Sequence, residues 1–206
     1  MTGARDRGSD APASPTRLVL ARHGETAWSK SSQHTGRSDI PLTDIGRGQA
    51  RLLGTTLAGR TFSRVFSSPL ARASETARLA GFVNRVELDP ELQEWDYGVY
   101  EGRRRLDIVK DEPGWTVWSH PIRDGESLAD LGARADRVIE RLLPLGGDVL
   151  VFAHGHILRV LAARWIEQPA VVASRLELWT ATVSELGWEA DRRVIEVWNS
   201  AAHLAG

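Results

Sequence analysis

Leu18-Val-Leu-Ala-Arg-His-Gly-Glu-Thr26 places an Arg-His-Gly triplet at the end of a short apolar run. A continuous apolar stretch of this length reads as a strand covered on both faces. In open α/β sheets, ligands bind beyond the carboxyl ends of such strands. Far downstream, Asp148-Val-Leu-Val-Phe-Ala-His-Gly-His156 repeats the arrangement, with a second His-Gly at the end of a second apolar run. Two strand-end histidines with arginines nearby predict an anion site with a histidine nucleophile.

Working outward, Arg17 to Ala21 is the first expected strand. A helix follows from Thr43 as N-cap to about Ala58. Arg64 to Ser67 reads as a second strand and Pro69 starts a helix through Arg72, Thr76 and Ala80. These two βα steps favour parallel pairing. Val83 to Leu88 is an edge-like strand ending before Pro90. From Arg103 to His120 the periodicity weakens into charged and tryptophan-bearing segments, which read as an inserted helical cap. Ser127 caps a long helix to about Leu143, with Leu128, Leu131, Ala135, Val138, Ile139 and Leu142 on one face. Val149 to Ala153 and Ile157 to Trp165 form the next strand and helix. Leu176 to Gly187 and Arg193 to Trp198 alternate as two further strands joined by a hairpin at Glu189 to Arg192.

The 206 residues suit one domain, expected over 16–206 behind a lead-in at 1–15. That lead-in is rich in Gly, Ser, Ala, Pro and charge and lacks the apolar core of a secretory signal, so it is expected to be disordered. Lys plus Arg of 26 against Asp plus Glu of 27 leaves a charge of -1, so no nucleic-acid or acidic-membrane surface is indicated. Any cationic site must be local. The absence of cysteine excludes disulfides, thiolate metal sites and thiol nucleophiles. No apolar stretch approaches the ~20 residues of a bilayer span, and a cytoplasmic protein is expected.

Phosphoryl transfer needs an in-line nucleophile and fixed positive charge around the equatorial oxygens. His23 suits the first role if one ring nitrogen is held as N–H by a backbone carbonyl, leaving the other its lone pair. Gly24 would let the backbone approach the phosphoryl group closely. Arg22 and Arg72 would grip phosphoryl oxygens through bidentate bonds. His154, protonated or donating, would complete the clamp at the helix N-terminus beginning near Gly155. Such a pocket requires no metal and no cofactor. Glu94 is the candidate general acid for the leaving alcohol.

Arg22-His23-Gly24, Arg72 in Ser68-Pro-Leu-Ala-Arg72, Glu94 in Leu92-Gln-Glu-Trp-Asp-Tyr-Gly98, and His154-Gly155 together resemble the histidine phosphatase superfamily. That superfamily includes the cofactor-dependent phosphoglycerate mutases, and the resemblance runs from about Arg17 to about Asn199. It implies a three-layer α/β/α sandwich, a mostly parallel sheet with an antiparallel edge strand, and a small helical cap at 103–125. It also implies a phosphohistidine on His23 and the general-acid role for Glu94, although Gln93 stands where the family has Asn. Ser29, Thr35, Gly36, Tyr97, Gly155 and His156 are the expected substrate- or phosphate-binding positions.

Glu25-Thr-Ala-Trp-Ser-Lys30, Gly125-Glu126-Ser127 and Phe152-Ala-His-Gly-His-Ile-Leu-Arg159 look like the phosphatase branch that holds sedoheptulose bisphosphatase and actinobacterial broad-specificity acid phosphatases. The implied partner is a small phosphate ester, a sugar phosphate or bisphosphate, with a homodimer as an open assembly state.

Competing readings are less economical. A lone strand-end histidine is more often structural, but two His-Gly pairs, a neighbouring arginine, Ser-Pro-x-x-Arg and a Glu before Tyr-Gly converge on one site. His154 and His156 as a metal pair lack partner ligands. A mutase needs a longer basic insertion than the short, mixed-charge stretch here, which leaves it as the isomerase alternative. A non-catalytic phosphate-binding module predicts loss of His23 or Glu94, and both are present. His34 and His120 read as surface or loop residues, with substrate contact as the alternative. Trp165, Trp179, Trp188 and Trp198 read as core, while Trp28 and Trp95 are candidates for the pocket wall.

Overall fold

In the computed structural model, which describes residues 14–204, six strands form one sheet in the order β3-β2-β4-β1-β5-β6. The elements run β1 (Arg17–Arg22), α1 (Ala27–Lys30), α2 (Asp44–Leu57), β2 (Arg64–Ser67), α3 (Ala71–Leu79), β3 (Val86–Leu88), α4 (Arg105–Asp111), α5 (Leu128–Leu142), β4 (Asp148–Ala153), α6 (Gly155–Trp165), β5 (Val183–Glu189) and β6 (Arg192–Ser200). The first four strands in chain order, β1 to β4, pair parallel, and β5 and β6 add antiparallel at one side. This is the expected α/β/α sandwich with an antiparallel edge.

The apolar runs are continuous because both faces are covered. Along β1, Val19 and Ala21 face a cluster with Leu53, Leu57 and Ala77, from α2 and α3. Leu18 and Leu20 face the opposite cluster, with Leu131, Ala135, Leu158 and Leu161 from α5 and α6. The same alternation divides Leu150 and Phe152 from Val149, Val151 and Ala153 on β4. At ~1.5–3 kcal/mol per fully buried aliphatic side chain, these two central strands fix the register of everything attached to them.

Helix starts follow the capping chemistry. The Thr43 side chain accepts from Gly46 N–H and that of Ser127 from Asp130 N–H. Helix α3 has no side-chain cap of its own; Asp39 Oδ1 accepts from Ala71 N–H at 2.8 Å instead. The lead-in expected over 1–15 falls outside the described residues up to residue 13. Ser14 already belongs to the fold, its carbonyl accepting from Gly147 N–H.

Two expectations need correction. The third strand is only Val86–Leu88, paired with β2 alone. Leu176 to Thr182 is not strand: β5 begins at Val183 because Ala181 adopts φ +55° and turns its N–H onto the carbonyls of Arg22 and His23, at 3.1 and 3.0 Å. That left-handed residue stops ladder pairing and folds the segment across the end of β1. Trp179, carried on it, is 54% exposed rather than core, whereas Trp165 is fully buried. Among the described residues no helix is long and apolar enough to cross a membrane.

Candidate active site

The register sets Arg22 opposite Ala153, and His23 N–H donates to Ala153 O at 3.0 Å. His23 and His154, each one residue beyond, therefore meet at the carboxyl ends of adjacent parallel strands, ring centroids 5.2 Å apart. The site lies where β4 has been inserted beside β1, a topological switch point of the sheet.

His23 Nδ1 lies 2.7 Å from Gly24 O. A carbonyl only accepts, so Nδ1 carries the hydrogen and Nε2 presents its lone pair. Burial, reinforced by the charges of Arg22 and Arg72, pushes the His23 pKa well below its ordinary value, so the ring is neutral. Gly24 serves a different close approach from the one expected. A Cβ there would fall 2.3 Å from Gly46 O, so the glycine lets α2 pack against the nucleophile loop.

The ring of His154 is also neutral, its pKa lowered chiefly by burial and next by Arg72. Its Nδ1 accepts from Arg72 Nε at 3.0 Å, so the hydrogen is on Nε2, which donates to Ser68 Oγ at 2.8 Å. Both nitrogens are engaged: the expectation of a protonated His154 is corrected, and the one N–H it donates is spent on Ser68. Arg72 is fully buried, with Nη1 on Ser38 O at 2.8 Å and Nη2 on Thr35 O and Gly36 O at 3.1 and 2.8 Å. Its fork holds the 35–38 loop, one layer behind the cavity.

Arg22 keeps more freedom. Nη1 donates to Leu178 O at 2.5 Å, and Nε is buried without a partner. Its guanidinium packs over Gly155, where a Cβ would lie 3.3 Å from Cζ.

Glu94 occupies the amino end of α6. Oε1 accepts from the N–H groups of Trp95, His156 and Ile157 at 3.0, 3.1 and 2.9 Å. Oε2 accepts from His156 N–H alone, at 2.9 Å. Two of the N–H groups at this helix N-terminus, those of His156 and Ile157, are thus taken by this carboxyl and not left for a phosphoryl group. Oε2 carries the lighter hydrogen-bond load of the two oxygens.

A cavity of about 260 Å³ opens over His23. Arg22, Glu94, Tyr97, Gly155 and His156 line it, as do Ser29 and Thr35. The hydroxyls of the last two are engaged locally, Ser29 Oγ in the capping box with Thr26 and Thr35 Oγ1 on Gln33 O. Tyr97 Oη and His156 Nδ1 are 2.7 Å apart, and burial raises the phenol pKa well above its ordinary value and lowers that of the imidazole. Gly36 is not part of the lining. Its N–H goes to Glu101, and a Cβ would meet Trp95 O at 2.5 Å.

Beyond the expected site positions the lining includes Ser32, Gln33, His34, Arg159 and Leu178, of which His34 and Arg159 carry titratable side chains. His34 is packed against Tyr97 and Trp115, centroids 4.8 and 5.3 Å away, and burial lowers its pKa to about 4. Arg159 lies one helical turn beyond His156, its Cζ 4.8 Å above the Trp118 ring and its Nε on Ala173 O. The i, i+3 spacing from His156 was the available signal for Arg159. His120 instead accepts from Thr116 N–H outside the cavity, and Trp95 is core with its indole N–H on Glu126 O. Among the described residues no group of three or more His, Cys, Asp or Glu is arranged to hold a metal ion.

Comparison with known proteins agrees with this geometry. A family model described as histidine phosphatase superfamily (branch 1) matches residues 18–201. An acid phosphatase of Mycobacterium tuberculosis is 40% identical over 191 residues, covering 91% of this chain and 94% of that protein. Sedoheptulose 1,7-bisphosphatase of Saccharomyces cerevisiae is 35% identical over 187 residues, covering 75% and 69%. The solved structure of an open reading frame product from Mycobacterium tuberculosis superposes with a TM-score of 0.84 at 39% identity, covering 89% of this chain and 97% of that one.

Proposed function

Because the chain belongs to the histidine phosphatase superfamily and is a phosphatase of that type, we propose that it hydrolyses a small phosphorylated metabolite, a sugar phosphate or bisphosphate, through a phosphohistidine and without a metal. The observation that carries this reading is the His23 ring, neutral and held through Nδ1 on Gly24 O with Nε2 left as nucleophile.

In the first half-reaction Nε2 of His23 bonds to phosphorus as the P–O bond to the ester oxygen breaks, and that oxygen takes the proton of Glu94 Oε2. In the second, a water oxygen bonds to phosphorus as the P–Nε2 bond breaks and its lone pair returns to His23, one water proton goes to Glu94, and inorganic phosphate leaves. Arg22 supplies the adjacent positive charge; Arg72 and His154 act from behind, holding the loop and each other.

The substrate class is supported by the rest of the cavity. Arg159 is a cation with no carboxylate within ion-pair distance among the described residues, set by stacking on Trp118 beside the uncharged polar groups of His34, Tyr97 and His156. A hydroxylated ester with a second anionic group matches that lining, as does the name of the yeast relative.

The test is a panel of sugar phosphates, sugar bisphosphates and phosphoglycerates assayed in EDTA for kcat/KM and for the product. Release of inorganic phosphate, highest from sugar esters, is the expected result. Loss of activity in chelator restored by a divalent ion overturns the metal-independent route, and a positional isomer of the ester in place of phosphate establishes the mutase.

A further inference from the structure

The loop that carries Glu94 is held from behind by one arginine. Arg134, on α5, donates through Nη1 to Glu91 O and Gln93 O at 2.7 and 2.6 Å, and through Nη2 to Glu94 O at 3.4 Å. Its Nε and Nη2 also grip Glu126 in a bidentate pair at 2.8 and 2.7 Å. All five N–H directions of the guanidinium are matched, three of them on the backbone of a four-residue stretch ending at the candidate acid. The two side chains are only 12% and 16% exposed, so the pair is shielded from solvent.

Glu126 closes the other side. Its N–H donates to Asp96 O at 3.0 Å, and its carbonyl accepts from Trp95 Nε1 at 2.8 Å. The stretch from Glu91 to Asp96 is thereby tied at both ends to one ion pair, at the point where the cap segment returns to the domain.

Glu94 lines the cavity over His23 and also a second, polar cavity of about 250 Å³ behind it, bordered by Gln93, Asp96, Glu126 and Arg134. The carboxyl is buried and its oxygens are held by the N–H groups of Trp95, His156 and Ile157, while Arg134 and Glu126 hold the backbone that carries it. A flexible lysine, a point charge with three rotatable donors, could not span three carbonyls and a carboxylate together.

We propose that Arg134 and Glu126 are positioning residues for the phosphatase reaction, setting Glu94 so that Oε2 meets the leaving oxygen. The inference rests on the general-acid reading of Glu94. A misplacement near 1 Å can lower a rate about 100-fold, so the effect belongs in the step that donates the proton and not in substrate affinity.

The experiment measures single-turnover rates on glycerol phosphate and p-nitrophenyl phosphate for Arg134→Met, Glu126→Gln, Glu94→Gln and the double variant Glu94→Gln/Arg134→Met, with Tm for each. Arg134→Met is expected to slow the alkyl ester about 10- to 100-fold at nearly constant KM, with much less change for the aryl ester, whose leaving group needs no proton. On the Glu94→Gln background the same change should add little, because both act through one carboxyl. Equal losses on the two esters, or additive losses in the double variant, overturn the proposal. If Arg134→Met does not fold, Glu126→Gln decides: it nearly preserves volume, and an unchanged alkyl-to-aryl ratio in it overturns the proposal. A Glu94→Gln variant that slows both esters equally overturns the acid role of Glu94 itself, a result distinguishable from failure of the tether alone.

Discussion

His23 and His154 face each other with ring centroids 5.2 Å apart and planes tilted by 58°, yet their hydrogen bonds divide their capacities. His23 has one nitrogen on a carbonyl and the other available, while His154 has one on Arg72 and the other on Ser68. One histidine keeps a free ring nitrogen, as the proposed nucleophile requires. The other is a strut that orients a buried arginine.

Replacing His23 by Ala should abolish turnover while leaving the protein folded, since the covalent route needs that ring nitrogen. Acid-labile, base-stable labelling with substrate should fall on His23 and disappear in the variant. Activity within tenfold of the parent, or full labelling in the variant, would assign the nucleophile elsewhere.

For Glu94→Gln the expected signature is a leaving-group contrast. General acids contribute about 10²–10⁴-fold, so phosphorylation by a sugar phosphate should slow on that order while p-nitrophenyl phosphate loses far less. Burst kinetics separate this from the second half-reaction, in which the same carboxyl receives a proton from water. Equal burst-phase losses would remove Glu94 from the acid role.

Acidification should weaken the fold. His23, His34, His154 and His156 all have folded pKa values below the ordinary 6.5, chiefly through burial. Above pH ~6.5 both states are neutral and these groups add no pH dependence. Below it the unfolded chain binds protons that the folded one refuses, so stability falls as pH falls, by up to about 1.4 kcal/mol per pH unit per histidine. The His34 contribution runs down to about pH 4. Urea unfolding between pH 8 and 5 measures this, and His34→Gln should shallow the slope; a stability independent of pH across that range would contradict the buried neutral rings. For the same reason the acid limb of kcat/KM should lie below 6.5, with His23 still unprotonated at mildly acidic pH.

Arg159→Met should discriminate between substrates. Esters with a second phosphate or carboxylate should lose kcat/KM by about 10-fold or more, the scale of a charge-assisted hydrogen bond of ~1.5–3 kcal/mol. Monoanionic sugar esters should change little. A uniform loss across the panel would make Arg159 part of the fold around Trp118 rather than a specificity contact.

Much of the site was legible in the chain because its chemistry is local. Two apolar runs that need cover on both faces become neighbouring central strands, and the His-Gly after each must then emerge at the same edge of the sheet. The caps at Thr43 and Ser127 and the hairpin near Ala190 follow from equally short-range rules. Alternation alone misread Leu176 to Thr182. What ended the strand there was the positive φ of Ala181 and the carbonyls of Arg22 and His23 at the end of β1, contacts with residues more than 150 positions away.

The sequence by itself determined which residues could act as nucleophile, cation and acid, and which strand ends carry them, because residue type and hydrophobic period are local properties. Only the tertiary structure decided what each is free to do. Arg72 and His154 bond to each other and to backbone, Glu94 takes the amino end of α6, and Arg159 and His34 enter the cavity from separate elements. Hydrogen-bond capacity is finite and is filled by whatever long-range packing brings within reach, and no spacing along the chain encodes that assignment.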